Sequence, residues 1–250
     1  VGKIKQKGYY FMDEQNNPVV SVIVPIRRGE DVSDLVLSVK ESTFKDTEII
    51  IVDEGLERSA QRNIGISKAK GEYLLILDSD HTIEKGLISE CVDKMNGFDS
   101  LYIPEKVMGK SLFNKIRNWE RGFYNGTAVD VVRFVKKSIC PMFDETMHGP
   151  EDSDWDRRIV GCKGITLNSL IHNEADIGLI KYLKKKAYYS KSMSKYTTKN
   201  PNDKVLSFWW RCFWVFLENG KWKRFLSNPL FALAVMGLIF LRGIVYIINK

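Results

Sequence analysis

Apolar positions along this chain come in blocks, and the blocks alternate between two kinds. "VVSVIVPI" (19–26), "EIIIVDEG" (48–55) and "GEYLLILDSD" (71–80) are apolar at consecutive positions and end on a proline or an acid. That pattern predicts strands buried on both faces of a sheet. Between them the spacing changes. Val32, Leu35, Val36 and Val39 recur at helical intervals within 30–42, and "RSAQRNIGISKAK" (58–70) also reads as a helix. Ile83, Leu87, Ile88, Cys91, Val92 and Met95 mark another. Strand and helix in strict alternation predict an α/β fold with a mostly parallel sheet flanked by helices.

Further along, 100–107 and 129–140 read as strands and 111–126 as an amphipathic helix. Gly149-Pro150 sets a turn into a helix starting at Glu151, and 164–176 reads as a last strand. After it the pattern changes character. Leu230 to Ile248 is an apolar stretch interrupted only by Arg242, long enough to cross a bilayer. The preceding 205–225 combines Trp209, Trp210, Trp214 and Trp222 with arginine and lysine, as interfacial segments do. Two units are expected: 1–178 as the α/β domain, and 179–250 as basic, aromatic-rich, membrane-associated helices.

Charge sharpens this division. From Ala175 onward there are 14 Lys and Arg against 3 Asp and Glu, whereas the rest of the chain is mildly acidic. A basic tail suits nucleic acid or an anionic membrane surface. Its hydrophobicity decides for the membrane and against nucleic acid, with the Lys-rich flank 181–224 and the α/β domain facing the cytoplasm. Lys184, Lys185, Lys186 and Lys191, with Tyr188 and Tyr189, would lie against headgroups or clamp a phosphate. Arg242 must snorkel or find a partner. The four cysteines have no ligand spacing, so neither disulfides nor zinc are expected. Residues 1–20 have no apolar run, so no secretory signal is expected.

The carboxylates are the candidate chemistry. Asp53, Asp78 and Asp80 end two predicted strands, at the edge where open α/β sheets bind ligands. Such acids also cap helices, and Glu151, Asp152 and Asp154 in a first helical turn suit the helix dipole. No GxGxxG follows the first strand and no GxxxxGK[ST] occurs anywhere, so a nucleotide would need another anchor. A divalent metal bridging carboxylates and a diphosphate would serve. His172, after the last strand, is either structural or a ligand.

Taken in order, these segments resemble the family 2 glycosyltransferases with the GT-A, Rossmann-like fold. "SVIVPI" matches the first strand and "IIIVDEG" the nucleotide motif. "AQRNIGISKAKGEYLLILDSD" matches the ARNxG…DxD block, "GPEDSDWDRRI" the ED-containing helix, and "IHNE" the late histidine. The resemblance spans roughly 19–176. It implies an inverting, metal-dependent transfer of a sugar from a nucleotide-diphosphate donor, UDP-sugar ahead of GDP-sugar. The acceptor would be a hydroxyl or phosphate, lipid-linked or on a glycan, at the membrane.

The implied roles are Asp152 as catalytic base with Glu151 beside it, and Pro25, Asp53, Arg62, Asn63 and Asp78 at the nucleotide. Asp80, Asp78 and His172 would hold Mn2+ or Mg2+. Three departures stand out: Pro25-Ile26-Arg27 replaces the usual Pro-Thr-Tyr-Asn, VDEG lacks the second Asp and the Ser, and few residues separate Asp53 from Arg58. A more open nucleotide pocket is expected. Two other readings compete: a sugar nucleotidyltransferase, which lacks its GxGTRxxPxTK segment here, and a membrane-tethered nucleotide-sugar-binding protein without turnover.

Overall fold

The computed structural model describes residues 10–11, 17–173, 178–190 and 192–248. The N-terminal polar stretch apart from these, Glu174–Asp176 of the last predicted strand, and Lys191 lie outside them.

The three apolar runs form β2 (Val20–Pro25), β3 (Thr47–Val52) and β4 (Tyr73–Ile76), side by side and parallel with β2 in the middle. The intervening helices are α1 (Ser33–Lys40) and α2 (Arg58–Lys68). Alternate residues explain why the runs are continuously apolar. Val22, Val24, Leu75 and Leu77 join one core with Leu35, Val39 and, from α3 (Leu87–Lys94), Leu87, Ile88 and Cys91. Ile23, Leu74 and Ile76 join another on the opposite face with Ile66, Phe143 and Trp155. Gly65 lets α2 lie against β2: a Cβ there would sit 2.3 Å from the Cγ2 of Ile23.

The full sheet has seven strands in the order β1-β3-β2-β4-β8-β6-β9, adding β1 (Tyr10–Phe11), β6 (Ser100–Tyr102), β8 (Val132–Lys136) and β9 (Lys163–Ile165). Five strands run one way, with β1 and β8 against them, so the sheet is mostly parallel as expected. The antiparallel insertion of β8 between β4 and β6 is not visible in a strand-helix alternation.

Two predicted strands prove to be broken, and both breaks serve a second sheet. The run 100–107 stops at Ile103-Pro104, where proline has no N–H to give a ladder. It resumes as β7 (Glu105–Met108). The run 164–176 divides into β9 and β10 (Leu170–Asn173) around a turn whose Leu167 and Asn168 amides donate to the Glu90 carboxylate. With β5 (His81–Ile83), these strands make a three-stranded sheet in the order β5-β10-β7, pairing His172 with His81.

The C-terminal segment packs onto α4 (Leu112–Arg121). It comprises α6 (Leu179–Ser190), α7 (Met193–Lys199), a π-turn at Trp210–Trp214 leading into α8 (Val215–Leu217), then α9 (Trp222–Leu226) and α10 (Pro229–Ile248). Phe123 and Tyr124 share a core with Val215, Phe216 and Val235. Among the described residues α10 is the one helix long and apolar enough to cross a membrane. Its inner face buries Ala232, Val235, Leu238 and Arg242, while Leu230, Leu233, Phe240 and Ile247 stay exposed.

Arg242 does have a partner. Its two terminal nitrogens donate to the two carboxylate oxygens of Glu120, at 2.7 and 2.8 Å, and Glu120 is fully buried on α4. Tyr124 Oη (2.6 Å) and Arg117 donate to the same carboxylate. Breaking a buried pair leaves a desolvated charge. Arg242→Ala is therefore expected to cost about 3 kcal/mol, the low end for such pairs because Arg117 and Tyr124 remain on Glu120. A thermal melt in mild detergent should show a midpoint lower by roughly 6–12 °C.

Candidate active site

The parallel strands β2, β3 and β4 end together, and Pro25, Asp53 and Asp78 meet at that edge. Pro25 is buried at the end of β2 and Asp53 is half-buried just past β3. The Gln61 amide on α2 donates to the Ile26 carbonyl at 2.8 Å, fixing the loop after β2. Beside this edge, Asp31–Leu35 and Ser79–Thr82 line a polar cleft.

Arg62 is the hub. Its guanidinium has no solvent exposure, lies 5.0 Å from the centre of the Phe143 ring, and reaches three carboxylates. It donates to Asp78 at 2.8 Å and to Asp152, and lies 3.6 Å from Glu151. Arg133 on β8 approaches the other oxygen of Asp78 at 3.5 Å. Burial would raise the Asp78 pKa, but Arg133 and Arg62 hold this carboxylate well below its usual range. Arg58 stands one turn earlier on α2. Neighbouring protein atoms screen its guanidinium from part of the solvent and oppose ionisation, yet Asp78 raises its pKa, and the residue as a whole remains exposed.

α5 (Glu151–Arg158) divides its acids by direction. Asp154 pairs with Arg158 at 3.0 Å and Lys199 at 3.1 Å. Asp156 accepts the Val132 amide at 2.9 Å and pairs with Lys163 at 3.1 Å. Both are structural. Glu151 and Asp152 point to Arg62 instead, and they differ: the Glu151 side chain is 11% exposed and that of Asp152 29%. Burial, with Asp152 adding to it, pushes the Glu151 carboxyl up to about 8. Glu151 therefore keeps its proton at neutral pH.

The second sheet builds a neighbouring cluster. His172 hydrogen-bonds Asp80 through Nε2 at 2.9 Å and Glu105 through Nδ1 at 2.7 Å. Burial opposes its charge, but Asp80 and Glu105 push the imidazole up to about 10, so both nitrogens donate. Asp80, His81 and His172 each bring a ligand atom within 4.8 Å of the others.

A divalent metal suits part of this set. Asp80 offers oxygen and His172 nitrogen, and Glu105 holds the other imidazole nitrogen, as carboxylates behind metal-bound histidines commonly do. Loading requires the Nε2 proton to leave. His81 fits poorly. Its Nδ1 accepts the Asp78 amide at 3.1 Å, which leaves the proton on Nε2 in a ring only 1% exposed. The oxygens of Asp78 face Arg62 and Arg133.

Asn63 stands apart from these groups. Its amide bonds the Phe143 backbone in both directions (2.7 and 3.1 Å) and Glu145 at 2.8 Å, pinning the loop ahead of α5. Sequence reasoning missed Arg58, His81, Glu105 and Arg133 as members of the site. The i, i+4 spacing of Arg58 and Arg62 was the available signal for the first; the others depend on strand pairings that no local pattern reports.

Residues 54–140 match the model of Glycosyl transferase family 2. Over that stretch the chain is similar to the family 2 glycosyltransferases. Its sequence is also similar to the glycosyltransferase GlyG of Streptococcus pneumoniae serotype 4, 27% identical over 110 residues. That similarity covers 33% of this chain and 36% of GlyG, so the chain spans about a third of the length of this curated relative. Among solved structures, residues 1–349 of S. aureus TarS superpose with a TM-score of 0.48 at 14% identity, covering 91% of this chain and 90% of that one. The same protein in complex with UDP gives 0.48 at 15%, covering 92% and 88%.

Glu151 supplies a pH test. Its folded pKa lies above the unfolded value of 4.5, so the native state holds a proton that the unfolded chain releases first. Stability is therefore lost as pH rises from about 4.5 towards 8. Glu151→Gln removes this dependence. Melting midpoints measured between about pH 5 and 8 should fall for the wild type relative to the variant.

Proposed function

We propose that the domain transfers a sugar, with inversion, from a nucleoside diphosphate donor to an acceptor hydroxyl at a membrane surface. The observation that carries this reading is the buried Arg62, which joins the carboxylate ending β4 to the acidic pair starting α5. A nucleotidyltransferase has no use for that acidic pair.

In this reading Asp152 is the base. It is the more exposed of the two acids, and Arg62 holds it in place by an ion pair. Glu151 keeps its proton at neutral pH and so orients the acceptor by donating a hydrogen bond. The acceptor oxygen bonds to the donor's anomeric carbon as the bond from that carbon to the diphosphate breaks with its electron pair. The acceptor proton passes to Asp152. Exposed Arg58 supplies charge to the departing diphosphate, and Asp53 with the loop after Pro25 borders the nucleobase. Asp80 and His172 would hold Mn2+ or Mg2+, which when bound stabilises negative charge on that diphosphate.

The test is calorimetric titration with UDP and GDP, each with and without Mn2+. Micromolar, metal-dependent binding of UDP in preference to GDP is expected. Asp152→Asn should keep donor binding and lose transfer by at least about 100-fold, while Asp80→Ala should lose the metal dependence. No binding of either nucleotide under any condition would favour a non-catalytic role.

The membrane reading also takes a definite form. If α10 spanned a bilayer, its buried ion pair would draw Glu120 and the polar face of α4, with Asn114 and Asn118, into hydrocarbon. We therefore place α10 in the membrane plane, its exposed Leu230, Leu233, Phe240 and Ile247 facing lipid together with Trp209 and Trp214. A Lys250→Cys variant in sealed vesicles should react with an impermeant maleimide from the same side as the exposed Cys162. Reaction from the opposite side only would mean that the helix spans.

A further inference from the structure

Helix α4 turns three polar side chains to one side, Asn114, Asn118 and Arg121, at spacings of four and three residues. All three meet β7, the outer strand of the small sheet. The Asn114 amide donates to the Met108 carbonyl at 3.2 Å, and the Asn118 amide oxygen accepts the Val107 N–H at 3.0 Å. The outer side of an edge strand leaves backbone groups without a ladder partner, and here the helix supplies partners. Gly109 permits the approach, since a Cβ there would lie 1.7 Å from the Asn114 amide nitrogen. In this way α4 grips the backbone of β7.

Arg121 ends the row on a side chain instead. Its Nη2 lies 3.1 Å from Oε2 of Glu105, and the other carboxylate oxygen, Oε1, is 2.7 Å from His172 Nδ1. β7 and β10 run parallel with Val107 opposite His172, so Glu105, two residues earlier, shares the His172 face. His172 reaches Asp80 at 2.9 Å with its remaining nitrogen. Polar contacts therefore run without a gap from α4 through Glu105 and His172 to Asp80. The Arg121 and Glu105 side chains are only 16 and 10% exposed, so salt and solvent screen the pair little. Nη2 also lies 3.2 Å from Asp130, itself fixed by the Gly126 and Val131 amides at 2.8 and 3.1 Å. The arginine is anchored from behind. A glutamate side chain has several rotamers open to it, and a cation on the oxygen remote from His172 leaves one.

We propose that Arg121 is a positioning residue for the metal site: by holding Glu105 in one rotamer it fixes the His172 ring toward Asp80 and so sets the affinity for a divalent cation. The proposal rests on the Asp80–His172 metal assignment above and extends it to a helix outside both sheets. Successive residues of α4 then have separate tasks, Glu120 holding α10 and Arg121 ordering the metal site.

The test is the affinity of the full chain for Mn2+ alone, without nucleotide or sugar, read from the loss of the free Mn2+ spectrum in electron paramagnetic resonance. Asp80→Ala should abolish binding, which marks the site. Arg121→Met should weaken binding by about tenfold or more, as loss of the groups behind metal-bound histidines does. One nitrogen makes both contacts of Arg121, so an ammonium can replace it, and Arg121→Lys should restore most of the affinity. Glu105→Gln should lose affinity with Arg121 intact. The double variant Glu105→Gln/Arg121→Met leaves neither charge of that pair alone, so it should fold and bind Mn2+ no more weakly than Glu105→Gln.

Glu120→Gln separates positioning from general loosening of α4. It breaks the neighbouring buried pair with Arg242, so its melting midpoint should fall while its Mn2+ affinity stays at the wild-type value. Equal Mn2+ affinity in the wild type and Arg121→Met would overturn the proposal and leave the metal assignment standing. So would an equal loss in Glu120→Gln, or losses from Glu105→Gln and Arg121→Met that multiply in the double variant. A wild type that takes up no Mn2+ would remove the metal assignment and this proposal together.

Discussion

A single buried guanidinium holds the site of this protein together. Arg62 has no contact with water, so its charge is tolerable only while carboxylates surround it. Those carboxylates come from two places distant in sequence, Asp78 at the end of β4 and the Glu151-Asp152 pair opening α5. The ion pairs thereby set the position of α5 against the sheet, and the Asn63 bonds to Phe143 fix the loop leading into it. The same charge divides the labour of two neighbouring acids. Asp152 reaches the guanidinium, while Glu151, further away and more deeply buried, keeps a proton.

Arg62 illustrates how far burial decides what a motif residue can touch. A cation in a chain without a phosphate loop invites the idea of a direct phosphate contact. Here the cation with an exposed side chain is Arg58, one turn earlier, while Arg62 organises acids from below. Both belong to one helix face, and burial, which a sequence does not state, distinguishes them.

The parts of the fold legible in sequence were those with local causes. Consecutive apolar residues gave β2, β3 and β4, and helical spacing gave α1 to α3, because burial on two faces or on one leaves a periodic mark. The broken runs were not legible. Pro104 was visible, but that β7 and β10 leave the large sheet to pair with each other and with β5 is a long-range fact. It matters because the small sheet alone brings His172 and Glu105 to Asp80. His172 could be suspected from its position after a strand; Glu105, in a stretch with no motif, could not.

The C-terminal helix repeats the physics of Arg62 in another setting. Hydropathy treats Arg242 as a flaw in an otherwise apolar segment, yet the flaw is what specifies where the segment goes. Without Glu120, α10 is a generic apolar helix whose length suits a bilayer crossing; with it, one face is committed to α4 and the remaining apolar surface is left on the outside. The stabilisation of such a pair is modest because desolvation offsets most of the attraction, but an alternative placement that leaves either charge unpaired in a dry environment is heavily disfavoured. The pair therefore acts mainly through specificity, and it draws Arg242, Arg117 and Lys186 around Tyr182 next to an apolar groove. In this protein the apolar helix α10 and the helix α6, whose far end packs at Gly149 just before the acidic pair, lie against one another.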